Sequence, residues 1–293
     1  MRSVPAHLGF MQGRLSPLDG GRTQSFPWDH WTDEFPLAQQ LNLPLIEWTL
    51  DRERFDENPI MTPTGRRDLT RLSRAHHVRI ETLTGDCFMQ SPFHSERFAS
   101  ARSALLTDAQ RVIQACSEVG IGFVVLPIVD EGAIQNERER EVFIAGVRDL
   151  LNQPSTPRDV RLLLECEEEP DWIAALLKQL ATSRIGINYD TGNSAARGYD
   201  PVAEFAAYGS VIANVHIKDR ELAGMTVPLG SGAADFDSVF RELMRLDYRG
   251  RYILQTARAA DGNHVDALGH YRDFVLARIE ESGGARAALQ VTH

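Results

Sequence analysis

The chain has 293 residues, and 31 lysines and arginines against 41 aspartates and glutamates give a formal charge of −10. A negative field of that size opposes nonspecific binding to nucleic acid or to an anionic membrane surface. No run approaches the ~20 apolar residues needed to span a bilayer, and the N-terminus lacks the apolar core of a signal peptide, so a soluble cytoplasmic protein is expected.

In chain order, short apolar runs occur at HLGFMQ (7–12), PLIEWTL (44–50), RIETLT (79–84), GFVVLPIV (122–129), RLLLEC (161–166), IGINYD (185–190), ANVHIK (213–218) and YILQTA (252–257). Their nearly continuous apolar character suits a parallel sheet covered on both faces. Between them lie helical patterns. Phe98, Ala101, Leu105, Ala109, Val112, Ile113 and Cys116 follow the three-to-four spacing of one amphipathic helix, and Val142, Phe143, Val147, Leu150 and Leu151 follow that of another. Helix starts are marked at Pro170-Asp171, Asp200-Pro201 and Asp235.

Eight alternating strand and helix units predict a closed (β/α)8 TIM barrel of α/β class, one domain over residues 1–282, with residues 283–293 as a flexible tail. The rival open sheet is disfavoured for dinucleotide binding, because no Gly-x-Gly-x-x-Gly follows the first strand. Cys87, Cys116 and Cys166 are odd in number and lack CxxC spacing, so free thiols are expected rather than disulfides or a zinc cluster.

Active-site groups of a barrel come from the C-terminal ends of its strands. The last four runs end in Glu165, Asp190, His216 and Gln255. Alternation along a strand gives inward sets of Leu163 with Glu165, Asn188 with Asp190, Asn214 with His216 and Lys218, and Ile253 with Gln255. Two carboxylates, an imidazole and an amide oxygen at one mouth suit a divalent cation with oxygen and nitrogen ligands, among Mn²⁺, Mg²⁺, Co²⁺ and Zn²⁺.

The segments MQGRLSP, FPWDHWTDEF leading to LIEW, NYDTGNSAARGYDP, VHIKDR, VPLGSGAADF and ILQTAR also carry a family resemblance. Over nearly the whole chain, the sequence resembles the sugar phosphate isomerase/epimerase branch of the xylose-isomerase-like TIM-barrel superfamily. The resemblance implies a metal held by Glu165, Asp190 and His216, with Mn²⁺ the leading expectation, and a fourth ligand from the eighth strand. There the family's glutamate is replaced by Gln255. In family epimerases the glutamates of strands five and eight also serve as the two acid/base groups, so one of that pair is missing here.

The function expected is therefore a metal-dependent isomerase or epimerase of a sugar, sugar phosphate or related polyol, with Glu165 as base. The alternatives are a dehydratase of a keto sugar or keto-cyclitol, which needs one base, and a noncatalytic sugar-binding barrel. An endonuclease-like role is opposed by the acidic charge. Glu47, Asp86 and Lys218 are candidates for a second acid, with hydroxyl binding, helix capping and pairing to Asp190 as their respective structural alternatives. Glu47, Asn193, Lys218, Arg14 and Arg258 are expected at the substrate, the two arginines as an anion clamp across neighbouring first and eighth strands. LGSG is a weak phosphate-nest signal, and Trp28, Trp31 and Trp48 suit either a sugar-facing wall or the core. The expected partner is a small-molecule sugar or sugar phosphate, without nucleic acid or membrane, and homo-oligomers fit the side-by-side packing common in such families.

Overall fold

A computed structural model describes residues 7–18, 21, 22 and 24–291, with side chains to residue 282. The strands are β1 (Leu8–Met11), β2 (Leu45–Thr49), β3 (Arg79–Thr84), β4 (Phe123–Ile128), β5 (Arg161–Cys166), β6 (Ile185–Asp190), β7 (Ile212–Ile217), the short pair β8 (Asp219–Arg220) and β9 (Thr226–Val227), and β10 (Arg251–Leu254). The barrel closes in the order β1-β10-β7-β6-β5-β4-β3-β2, with every neighbouring pair parallel. All eight apolar runs thus become the eight barrel strands. The antiparallel β8–β9 hairpin stands outside the barrel sheet.

The helices are α1 (Glu34–Gln40), α2 (Pro63–His76), α3 (Asp86–Gln90), α4 (Ala99–Val119), α5 (Glu137–Asn152), α6 (Pro170–Leu180), α7 (Thr191–Arg197), α8 (Pro201–Tyr208), α9 (Phe236–Arg245) and α10 (His264–Val291). In α9 the buried Phe236, Val239, Phe240 and Leu243 recur at helical spacing, and Asp235 caps its start by accepting from Ser238 N at 3.0 Å. Asp200 caps α8 in the same way. In α4 the inward stripe is Ala109, Val112, Ile113 and Cys116, whereas Phe98 precedes the helix and is exposed. The backbone of α10 is helical to Val291, while the side chains of the expected tail, residues 283–293, lie outside the described set.

The core lies between strands and helices, with Phe10, Ile46, Trp48, Leu83, Val124, Leu164 and Val215 fully or almost fully buried. Trp48 packs against Phe26 and Trp31 and donates its indole N–H to Asn58 at 3.0 Å, so this aromatic group belongs to the core. Two strand registers slip, at Ile46/Glu47 and at Ile187/Asn188. Such irregularities re-aim side chains, and here they sit beside Glu47 and Asn188, both of which turn into the barrel's polar interior. The three cysteines are free. No described helix is long and apolar enough to cross a membrane.

Candidate active site

Glu165, Asp190 and His216 come together at the C-terminal mouth of β5, β6 and β7, each offering a ligand atom within 4.8 Å of the others. All three are nearly fully buried. Parallel pairing sets this convergence directly, since Asp190 is in register with His216. Asp190 also caps α7: its Oδ1 accepts from Gly192 N and Asn193 N at 2.8 and 2.9 Å, and Lys218 Nζ stands 3.4 Å from Oδ2.

Beneath these groups is a layer of inward amides. Asn188 Nδ2 donates to Glu165 Oε2 at 2.8 Å, and Asn193 Nδ2 donates to Glu165 Oε1 at 3.2 Å. Asn214 Nδ2 bonds Asn188 Oδ1 and Glu47 Oε2, both at 2.8 Å. Glu165, Asn188 and Asn214 of the inward sets expected from alternation therefore meet, with Glu47 and Asn193, as one hydrogen-bonded network, in which burial demands that polar groups find partners.

Glu47, expected at the substrate, lies instead behind His216. Its Oε1 is 2.6 Å from His216 Nε2 and accepts from Thr84 Oγ1 at 2.7 Å. It is fully buried and does not line the cavity. Burial alone would raise its pKa, but His216 and the flanking hydroxyls outweigh that and hold it below the usual range. Burial would likewise lower the imidazole's pKa, and Glu47 and Glu165 on its two sides raise it to about 10. A carboxylate on one ring nitrogen fixes the ring and leaves Nδ1 facing Glu165, 3.3 Å away. That is the arrangement by which a carboxylate orients a metal-binding histidine.

Gln255 N–H bonds Ile217 O at 3.0 Å, placing the residue next to His216 across β10 and β7. Its side-chain Nε2 donates to Gln24 Oε1 at 2.8 Å, while its Oε1 is buried without a hydrogen-bond partner among the described residues. A buried carbonyl oxygen left without a donor is costly unless something electropositive meets it. Two carboxylates and an imidazole nitrogen fit a divalent cation, and among the described residues Glu165, Asp190 and His216 are the one such cluster, with Gln255 on the neighbouring strand at the same cavity.

The adjoining cavity, of about 300 Å³, is lined by Gln24, Asp86, Glu165, Asn193, Lys218 and Gln255 together with Arg220 and Met225 of the β8–β9 hairpin. Asn193 and Lys218 thus fall where a substrate contact was expected. Arg14 and Arg258 do not line it. Arg258 donates through both terminal nitrogens to Gly13 O and Ser16 O, strapping β10 to the loop after β1, and Arg14 is buried with Nη2 at 3.4 Å from Gln24 Oε1. The LGSG loop is held by Asp219: Gly230 N and Gly232 N donate to its Oδ2 at 2.9 Å and Ala234 N to its Oδ1 at 3.1 Å. A Cβ on Gly232 would lie 2.3 Å from Asp219 Oδ1, so the chain's own carboxylate fills that concavity.

Sequence reasoning passed over Arg220, Gln24, Asn188 and Asn214 as a working set. Only alternation signalled the two asparagines, and Gln24 joins the site from a loop 231 residues away from Gln255. Glu34 was also missed: it accepts from Gly13 N and Leu15 N at 2.9 and 3.0 Å and so shapes the loop after β1.

A family model described as xylose isomerase-like TIM barrel matches residues 35–274. The chain is 26% identical over 269 residues to L-ribulose-5-phosphate 3-epimerase UlaE of Salmonella heidelberg (strain SL476), covering 88% of this chain and 93% of the relative. A solved L-ribulose 3-epimerase superposes with a TM-score of 0.74 at 13% identity, covering 99% of each chain. IOLI protein with a bound zinc atom gives a TM-score of 0.72 at 16% identity over 94% of this chain and 99% of its own. With the closed eight-stranded barrel and a family match over most of its length, the chain belongs to the xylose isomerase-like TIM barrel family.

Proposed function

We propose that the chain is a divalent-metal-dependent epimerase or isomerase of a ketose or ketose phosphate, in which Glu165 removes the proton next to the carbonyl. The observation that carries this reading is the meeting of Glu165, Asp190 and His216 beside a buried Gln255 oxygen without a hydrogen-bond partner among the described residues. The epimerase relatives, with sugar and sugar phosphate substrates in their names, support the substrate class. Zinc bound to a structural neighbour supports a divalent ion, and the oxygen-rich donor set favours Mn²⁺, with Mg²⁺, Co²⁺ and Zn²⁺ as alternatives.

A divalent ion held by Glu165, Asp190, His216 and Gln255 supplies positive charge for the oxyanion that develops when a carbon acid loses its proton. Asn188 and Asn193 hold the two Glu165 oxygens, and Glu47 fixes the His216 ring. Asn193 and Lys218, bonded to each other at 3.2 Å, line the cavity on the side proposed for substrate hydroxyls, whereas Glu47, Arg14 and Arg258 lie behind it.

The test is deuterium entry from D2O into L-ribulose 5-phosphate or L-ribulose at the carbon next to the carbonyl, with Mn²⁺ bound. Glu165→Gln should abolish it, and His216→Ala should lose both Mn²⁺ and exchange. Deuterium entry unaffected by Glu165→Gln would refute the reading. Gln255 favours dehydration as the second reading, because that chemistry needs one base; a product lighter by one water would establish it.

A further inference from the structure

The position that would hold the family's second carboxylate is occupied by Gln255, yet a carboxyl group stands two hydrogen bonds away. Gln255 Nε2 donates to Gln24 Oε1 at 2.8 Å, and Gln24 Nε2 donates to Asp86 Oδ2 at 2.8 Å. Asp86 follows β3, two strands around the ring from β5, and lines the same cavity as Glu165. Its Oδ2 is held by Gln24, and its Oδ1 takes no protein hydrogen bond among the described residues.

Other acids at the mouth are committed elsewhere. Glu47 is sealed behind His216, Asp190 caps α7 and meets Lys218, and Glu167 pairs with Arg197 and Arg220. Lys218 itself is spent on Asp190 and on Asn193 Oδ1 at 3.2 Å. Asp130 lines the cavity but is exposed to water, whereas Asp86 is 4% exposed.

We infer that Asp86 is the second proton-transfer group of this site, acting from the β3 side on the carbon that Glu165 deprotonates. This inference rests on the ketose reading above. In the metal-free chain burial raises the carboxyl to about 7, with repulsion from Asp51 and Glu165 adding to the rise and the Gln24 hydrogen bond and His216 opposing it; a carboxyl group at the cavity wall can give a proton in one direction and take it in the other.

In one direction the Glu165 carboxylate takes the proton, the C–H electron pair becomes a C=C bond, and the carbonyl π pair moves to oxygen. On return the C=O bond re-forms, and the C=C pair takes a proton from Asp86 on the other face. The sugar keeps its formula and inverts one centre. Asp86 is left ionised and Glu165 protonated, and exchange with water resets both. Reversal exchanges the two roles.

The experiment uses the Mn²⁺-loaded full chain in D2O with L-ribulose 5-phosphate and L-ribulose, reading deuterium in the recovered starting sugar separately from epimer formed. Asp86→Asn should cut epimer formation about 100-fold or more, the usual scale for losing an acid/base group, while deuterium still enters the starting sugar from the Glu165 side. Asp86→Glu, which keeps the carboxyl, should recover part of the epimerisation and also serves if the asparagine variant does not fold. Epimerisation by Asp86→Asn at the parent rate would overturn the assignment, as would joint loss of exchange and epimerisation in a variant that still binds Mn²⁺. If the parent chain exchanges but never epimerises, Asp86 has no such role. If the parent exchanges neither sugar, the ketose reading fails first.

Discussion

Replacing Gln255 by glutamate offers the sharpest test of the metal shell, because the hydrogen-bond chain makes its outcome depend on pH. The substitution adds a full negative charge to the donor set. Two unit charges 4 Å apart attract by about 4 kcal/mol at an effective dielectric of 20, part of which is lost to desolvation. A gain in Mn²⁺ affinity of about tenfold or more is therefore expected, or about 1.4 kcal/mol. However, the new carboxylate oxygen would face Gln24 Oε1 where Nε2 now donates across 2.8 Å. Gln24 must turn its amide over, and its oxygen then meets Asp86 Oδ2, a contact that holds only with a proton between them. Asp86 is raised by burial to about 7, so the proton is present at pH 6, whereas at pH 8.5 supplying it costs about 2 kcal/mol. Calorimetric titration with MnCl2 should show Gln255→Glu tighter than the parent at pH 6, whereas by pH 8.5 a penalty of about 30-fold is enough to erase a tenfold gain. In the double variant with Asp86→Asn, the asparagine amide can donate to the turned Gln24, and the pH dependence should disappear. Weaker binding than the parent at pH 6, or an advantage equal at both pH values in the single variant, would refute the reasoning.

Glu47→Gln should weaken Mn²⁺ binding about 10- to 100-fold, the usual scale for losing a carboxylate that orients a metal-bound histidine, as measured by calorimetry. Arg258→Ala removes two charged hydrogen bonds to Gly13 O and Ser16 O and should destabilise the fold by about 3 kcal/mol in urea melts, without raising KM for L-ribulose 5-phosphate. A large rise in KM with unchanged stability would instead restore the anion clamp. Asp86 also predicts a slope of stability with pH in the metal-free chain. Its folded pKa of about 7 lies above the ordinary 3.8, so its proton stabilises the fold fully below the lower value, and this is lost as pH rises through the upper one. That difference amounts to roughly 4 kcal/mol. Urea melts of Asp86→Asn should lack this component between pH 4 and 8; an identical slope in the variant would count against it.

The barrel was legible because each strand is a compact apolar run, and burial on both faces leaves little freedom in where such a run can sit. Glu165, Asp190 and His216 were legible for a related reason: parallel strands of similar length put their C-terminal residues at one mouth, and polar residues ending apolar runs stand out there. Glu47 instead stands in the middle of β2, and a register slip beside it and its bond to His216 set it behind the imidazole. Depth within the mouth is a tertiary property that alternation does not encode. The arginines show the opposite failure. Neighbouring strands do bring Arg258 to the loop after β1, where its guanidinium bonds that loop's own carbonyls instead of facing the cavity.

Gln255 shows why residue identity at one position understates what a site can do. An amide is both donor and acceptor, and which end faces the metal is set by its neighbours. Here the direction is imposed by Asp86 and Arg14 together: Asp86 Oδ2 accepts from Gln24 Nε2, Gln24 Oε1 accepts from Arg14 and Gln255, and among the described residues the Gln255 oxygen is left facing no donor. The same residues therefore orient a neutral oxygen toward the candidate metal shell and keep a carboxyl group at the cavity wall. Replacing glutamate by glutamine on the last strand separates two duties that one carboxylate would combine, ligation and proton transfer, and assigns them to groups that can be altered one at a time. Gln24→Ala should for that reason disturb Mn²⁺ affinity more than Asp86→Asn does, because alanine frees both amide ends of Gln255, whereas asparagine still offers Gln24 an acceptor. Equal affinities for the two variants would show that the Gln255 oxygen is held without this chain of bonds.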